Sequence, residues 1–159
     1  MKAIFLDIDG VLNVYCESRD EYGCVFHDHL VDNLRWVIDQ TGAKIVVSST
    51  WRLSGEKSIM DMWDFRNLPG EVIGVTPNLT YGRGFSDHTP RGVEIQQWLD
   101  EHPDVTNYVI LDDDSDMLEH QMKNFVVTFD NVDHPDCVDI GYGLTKICAE
   151  KAIEILNRE

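Results

Sequence analysis

The sequence predicts an α/β domain with a doubly wound, mostly parallel sheet and little or no cap. Three features carry that expectation. Five short runs rich in Val, Ile and Phe recur along the 159 residues, the stretches between them place apolar residues at helical spacing, and acidic or hydroxyl residues follow directly on several runs. Short continuous apolar runs suit strands buried on both faces, and their alternation with helices implies parallel pairing. In such sheets a ligand sits beyond the carboxyl ends of the strands.

The runs are Ala3 to Leu6, Lys44 to Val47, Val72 to Val75, Tyr108 to Leu111 and Phe125 to Phe129. Between the first two, Leu30, Val31, Leu34, Val37 and Ile38 follow Asp28, a candidate N-cap, and the pattern stops near Gly42. Ile59, Met60, Met62, Trp63 and Phe65 outline a further crossover helix. Thr89 and Pro90 announce the next, which carries Val93, Ile95, Trp98 and Leu99 and ends before Pro103. The last helix has an apolar stripe of Leu144, Ile147, Cys148, Ala152, Ile155 and Leu156 opposite Lys146, Glu150, Lys151 and Glu154. Residues 13 to 27 read as an exposed loop or small flap, and 53 to 89 as the other irregular stretch, with a Gly-rich aromatic loop around Tyr81 to Phe85. A chain of this length fits one domain, 1–159, large enough to bury a core without staples.

Thirteen basic and twenty-nine acidic residues give a net charge of −16, which repels polyanions at long range and argues against an extended nucleic-acid surface. A small phosphorylated substrate or a nucleic-acid end stays compatible with that field. No segment is long and apolar enough to cross a membrane, and Met1 to Leu6 has none of the features of a secretory signal, so cytoplasmic residence is expected. Cys16, Cys24, Cys137 and Cys148 form no Cys-x-x-Cys pair, and reduced thiols are expected. Cys16, Cys24, His27 and His29 sketch a zinc site, but their spacing matches no template.

Two carboxylates, Asp7 and Asp9, stand two residues apart at the mouth of the first strand, where they are costly unless a cation or a proton shares the site. Gly10 allows a sharp turn beside them. A second group, Asp112, Asp113, Asp114 and Asp116, follows the fourth strand and repels itself unless a cation is present or most of it faces water. A calcium loop of the EF-hand kind is excluded, because its sixth and twelfth positions are Met117 and Lys123. Ser48, Ser49 and Thr50 follow the second strand and Arg91 opens a helix. Hydroxyls at strand ends and a cation at a helix start can meet a phosphate, although a turn cap and a surface ion pair are the plainer uses of each alone.

In combination, "FLDIDGVLN", "KIVVSSTWR", "TPRGVEIQQWL" and "YVILDDDSDM" resemble the motifs of the haloacid dehalogenase (HAD) superfamily in the same order. More narrowly the chain resembles small phosphatase-type HAD domains of nucleic-acid repair proteins, including the phosphatase half of polynucleotide kinase-phosphatases. The resemblance implies a Rossmann-like core and a magnesium-dependent phosphomonoesterase. Asp7 would be the nucleophile, forming an aspartyl-phosphate, and Asp9 the acid and base, with its backbone carbonyl also on the metal. Ser48 or Ser49 would bind the phosphoryl group. Arg91 would fill the cationic position, with Lys57 or Arg83 as substitutes, and Asp112 with Asp113 would hold magnesium. Arg52 is a candidate contact to a second phosphate or a surface ion pair, and Trp51, Tyr81 or Phe85 are candidates to stack a base. A non-catalytic metal- or phosphate-binding regulatory module, and a phosphotransferase using the same nucleophile, remain as alternative functions.

Overall fold

The structure, a computed structural model, describes residues 1–80, 89–129 and 142–159. Its centre is a sheet of five strands, β1 (Lys2–Leu6), β4 (Lys44–Val47), β5 (Val72–Val75), β6 (Asn107–Asp112) and β7 (Phe125–Val127), in the order β5-β4-β1-β6-β7 with every pairing parallel. All five expected runs are strands. The chain winds outward from β1 to β4 and β5, then crosses back to β6 and β7, so β1 is the point where the winding reverses.

Side chains alternate across the sheet with the period of two that strands impose. Ile4, Leu6, Ile45, Val47, Val109 and Leu111 face one way, onto α1 (Asp28–Thr41), α2 (Glu56–Phe65) and α4 (Lys146–Leu156). Ala3, Phe5, Val46 and Ile110 face the other way, onto Ile95 and Trp98 of α3 (Arg91–Glu101). Phe5 meets the edges of Trp98 and Tyr108 at 5.5 and 5.8 Å between ring centroids. No helix among the described residues is long and apolar enough to cross a membrane.

Several expectations change. Residues 13 to 27 are more than a loop: β2 (Arg19–Asp20) and β3 (Gly23–Cys24) form an antiparallel hairpin. That pairing sets Arg19 opposite Cys24 and brings the α-carbons of Cys16 and Cys24 to 5.4 Å, where the two cysteines are joined as a disulfide. The expectation of reduced thiols is therefore corrected for this pair, and the sketched zinc site loses both of its sulfurs. Cys148 is buried, and Cys137 lies outside the described residues. Asp28 is the first residue of α1, with His27 at its N-cap. The hairpin is the sole element between β1 and α1, in keeping with little or no cap.

Phe5→Ala should cost about 3–5 kcal/mol, since it empties a fully buried site between two aromatic partners. Urea unfolding reads this as a lower midpoint at unchanged slope; a loss under 1 kcal/mol, on the order of a surface change, would contradict the packing.

Candidate active site

The register of the sheet builds the site. Leu6 pairs with Val47 on one side and with Leu111 on the other, so Asp7, Ser48 and Asp112 come next at the same level on three adjacent strands. The ladder runs one step further: Asp7 N donates to Leu111 O and Ser48 N to Leu6 O, both at 3.0 Å. Asp7 and Asp112 are buried, 6% and 0% exposed. One carboxylate oxygen from each of Asp7, Asp112 and Asp113 lies within 4.8 Å of the others.

Gly10 is what lets Asp113 join them. It has φ +81°, and a Cβ on it would fall inside the Asp113 carboxyl group, so any other residue is barred twice over. Thr128, just past β7, ties the same turn down: its N donates to Asp112 O at 3.0 Å and its hydroxyl to Gly10 O at 2.8 Å.

Arg91 supplies the cation within the group. Its Nη1 lies 3.0 Å from Asp7 Oδ1 and donates to Asp112 Oδ2 at 2.9 Å. Burial by itself would depress the Arg91 pKa, but the charges of Asp112 and Asp7 outweigh it and the pKa is raised. The helix that presents Arg91 is held from the segment after Asp112. Asp116 Oδ2 accepts from Arg91 N at 2.9 Å, and Gln121 Nε2 donates to Gly92 O at 2.8 Å. Gly92 must be bare there, because a Cβ would lie 2.6 Å from Leu118 N. Lys57, the described substitute, is exposed and paired with Asp61, and Arg83 lies outside the described residues.

The hydroxyls divide. Ser48 Oγ is buried without a hydrogen-bond partner at the level of Asp7. Ser49 is occupied as an N-cap: its side chain accepts from Trp51 N at 3.2 Å and starts the 3-10 turn Thr50–Ser54. Asp9 stands apart from the three carboxylates and is exposed; Oδ1 accepts from Asn13 Nδ2 and Oδ2 from Trp51 Nε1, each at 3.0 Å. Arg52 is neither a phosphate contact nor a surface pair. It is 7% exposed, makes two 3.0 Å bonds to the Glu94 carboxylate, and donates to the carbonyls of Ser48, Ser49 and Thr76. Burial lowers its pKa, with Glu94 opposing. Trp51 spends its N–H on Asp9 and its ring on Phe26 and Arg66, leaving less of it to stack a base. Tyr81 and Phe85 lie outside the described residues.

Asn13, Gln121 and Thr128 were not singled out from sequence, and Asp116 stood there only as one of the acidic group after the fourth strand. Asn13 had a local signal, four residues beyond Asp9 in the same tight turn. Asp116, Gln121 and Thr128 act across the fold.

Three hard oxygen donors around one point fit a divalent ion such as magnesium. The electrostatics agree. Burial, then the charge of Asp7, pushes Asp112 up to about 8. Asp113 keeps part of its surface in water, but loss of water on its inner side and the charge of Asp7 push it up to about 6. With Arg91 as the cation in direct contact with Asp7 and Asp112 among the described residues, the group holds more negative charge than it can carry ionised.

A carboxyl whose pKa rises on folding stabilises the fold while protonated. That contribution is complete below about pH 4 and is lost as the pH climbs towards the folded value. Asp112→Asn, neutral at every pH, should therefore raise the melting temperature of chelator-treated protein more at pH 8 than at pH 5, by at least about 3 °C at the higher pH. A difference that does not widen with pH would refute the buried-charge account.

Residues 3–132 match the family model described as the HAD domain in Swiss Army Knife RNA repair proteins. No curated protein matches the sequence. Among solved structures, the fold is similar to that of a HAD-like protein from Mesorhizobium loti assigned as a phosphatase. The TM-score is 0.56 at 15% identity, covering 100% of this chain and 88% of that one, a likeness of fold. With the family model spanning most of the chain and Asp7, Ser48, Arg91 and Asp112 gathered at the strand ends, this protein belongs to the family of HAD domains found in Swiss Army Knife RNA repair proteins.

Proposed function

We propose that the chain is a magnesium-dependent phosphomonoesterase that works through an aspartyl-phosphate on Asp7. The observation that carries this reading is the meeting of Asp7, Asp112 and Asp113 within 4.8 Å, beside Arg91 and the unpartnered hydroxyl of Ser48. Asp7, Asp112 and Asp113, with the Asp9 backbone carbonyl, would hold magnesium, which would supply positive charge against the phosphoryl oxygens.

The chain's own groups divide the work. A carboxylate oxygen of Asp7 attacks phosphorus, and the bond to the leaving oxygen breaks as Asp9 gives that oxygen a proton. Asp9, now a carboxylate, takes a proton from water. The water oxygen attacks phosphorus, the Asp7–phosphorus bond breaks, and inorganic phosphate and both aspartates are restored. Ser48 donates to a phosphoryl oxygen, and Arg91 balances charge on Asp7 and on the group in transfer. Both sit on rigid elements, so little reorganisation is needed.

The substrate class we favour is a phosphate on a nucleotide or a nucleic-acid end. The family description names RNA repair, and only a short hairpin separates β1 from α1, so a bulky substrate can reach Asp7. A net charge of −16 limits the contact to an end.

With magnesium, the protein should release phosphate from p-nitrophenyl phosphate and, faster, from end-phosphorylated oligonucleotides. Chelation should abolish both, and Asp7→Asn should lower turnover by at least about 10³-fold. No turnover across phosphorylated oligonucleotides, mononucleotides and sugar phosphates, with no capture of beryllofluoride on Asp7, would refute the proposal in favour of a non-catalytic module.

A further inference from the structure

We propose that Trp51, with Asn13, is a positioning residue that fixes the Asp9 carboxylate for proton transfer to the leaving group. The proposal rests on the phosphatase reading and deepens it. Asp9 is exposed at the rim of the site, where a carboxylate in water rotates among its staggered rotamers. A general acid has to sit within hydrogen-bond reach of one oxygen in one orientation.

The two donors remove that freedom. Asn13 Nδ2 donates to Oδ1 and Trp51 Nε1 to Oδ2, each at 3.0 Å, so both oxygens are held. Both are neutral N–H donors, and the indole has no acceptor, so it cannot compete for the proton that Asp9 must deliver. Each oxygen keeps a lone pair for that proton.

Trp51 is itself held in place. Ser49 accepts from its backbone N–H, Phe26 lies 5.5 Å from its ring, and the Arg66 guanidinium stands 5.8 Å from its centre. Gly23 of the hairpin passes against the ring, where a Cβ would sit 3.4 Å from it. Arg66 is fixed in turn by Asp20 of the hairpin, at 2.7 and 2.8 Å. A tryptophan ordered by four neighbours to present one N–H to an exposed carboxylate is poorly explained by core packing alone. Nothing about the fold requires that contact, because the ring is only half-buried.

The test is the dependence of kcat/KM on the leaving alcohol, across magnesium assays with 2,4-dinitrophenyl, p-nitrophenyl, phenyl and alkyl phosphates. An activated phenolate departs without a proton, whereas an alkoxide needs one. Trp51→Phe should lose on the order of 10- to 100-fold on phenyl and alkyl esters and distinctly less on the dinitrophenyl ester, a steeper dependence than wild type. Asn13→Ala should steepen it in the same direction, and it serves if the tryptophan variant does not fold. Equal losses on every ester, or none, in an active wild-type background would overturn the role given to Trp51. A wild-type protein inert on the whole series would instead overturn the phosphatase reading beneath it.

Discussion

Three carboxylates cannot share one dry corner of a protein unless positive charge is brought to them, and that constraint organises this molecule. Asp7 and Asp112 are fixed by backbone ladders on neighbouring strands, so they cannot retreat from each other. Burial then raises the free energy of the ionised state, and with the charge of Asp7 it pushes the Asp112 carboxyl up to about 8. Arg91 meets part of the demand from the start of α3, through 2.9 and 3.0 Å contacts. The remaining deficit is the chemical case for a divalent ion and for an anionic ligand that balances Arg91 in turn.

Most of the supporting detail serves that corner. Gly10 is bare so that Asp113 can enter, Thr128 pins the turn that carries it, and Gly92 is bare so that the 116–121 segment can grip the start of α3. The acidic cluster after β6 is divided by role: Asp112 and Asp113 face the site, Asp116 caps the helix of Arg91, and Asp114 accepts from Ser115 N at the surface. Four acids in five residues are tolerable because they do not share one environment.

The sheet and its helices were legible in sequence because buried parallel strands write themselves as continuous apolar runs, and each run of that kind became a strand. The carboxylates were legible for a related reason: a charged residue directly after such a run has to lie at the sheet's functional edge. Ser48 and Ser49 could not be separated that way, since adjacent hydroxyls differ only in which one the backbone consumes, and here Ser49 caps a turn. Arg52 read as a contact to a second phosphate or a surface ion pair because its partner Glu94 is 42 residues away. The hairpin was missed because its strands are two residues each, too short to show a period, and the disulfide followed from that pairing alone.

The Arg52–Glu94 pair joins parts of the chain that the sequence keeps far apart. Arg52 grips the carbonyls of Ser48 and Ser49, and Glu94 lies one turn along the helix that begins with Arg91. Breaking one partner of so buried a pair strands the other's charge, at a cost of about 3–5 kcal/mol. The hydroxyl and the guanidinium on either side of the reaction centre thus belong to one clamped unit, closed around α2 and β5, which lie between them in sequence and pack into the sheet and its core. Because extending a loop whose ends are already joined costs little entropy, the surface connections flanking those two elements are where this architecture can lengthen or shorten while the spacing between Ser48 and Arg91 stays the same.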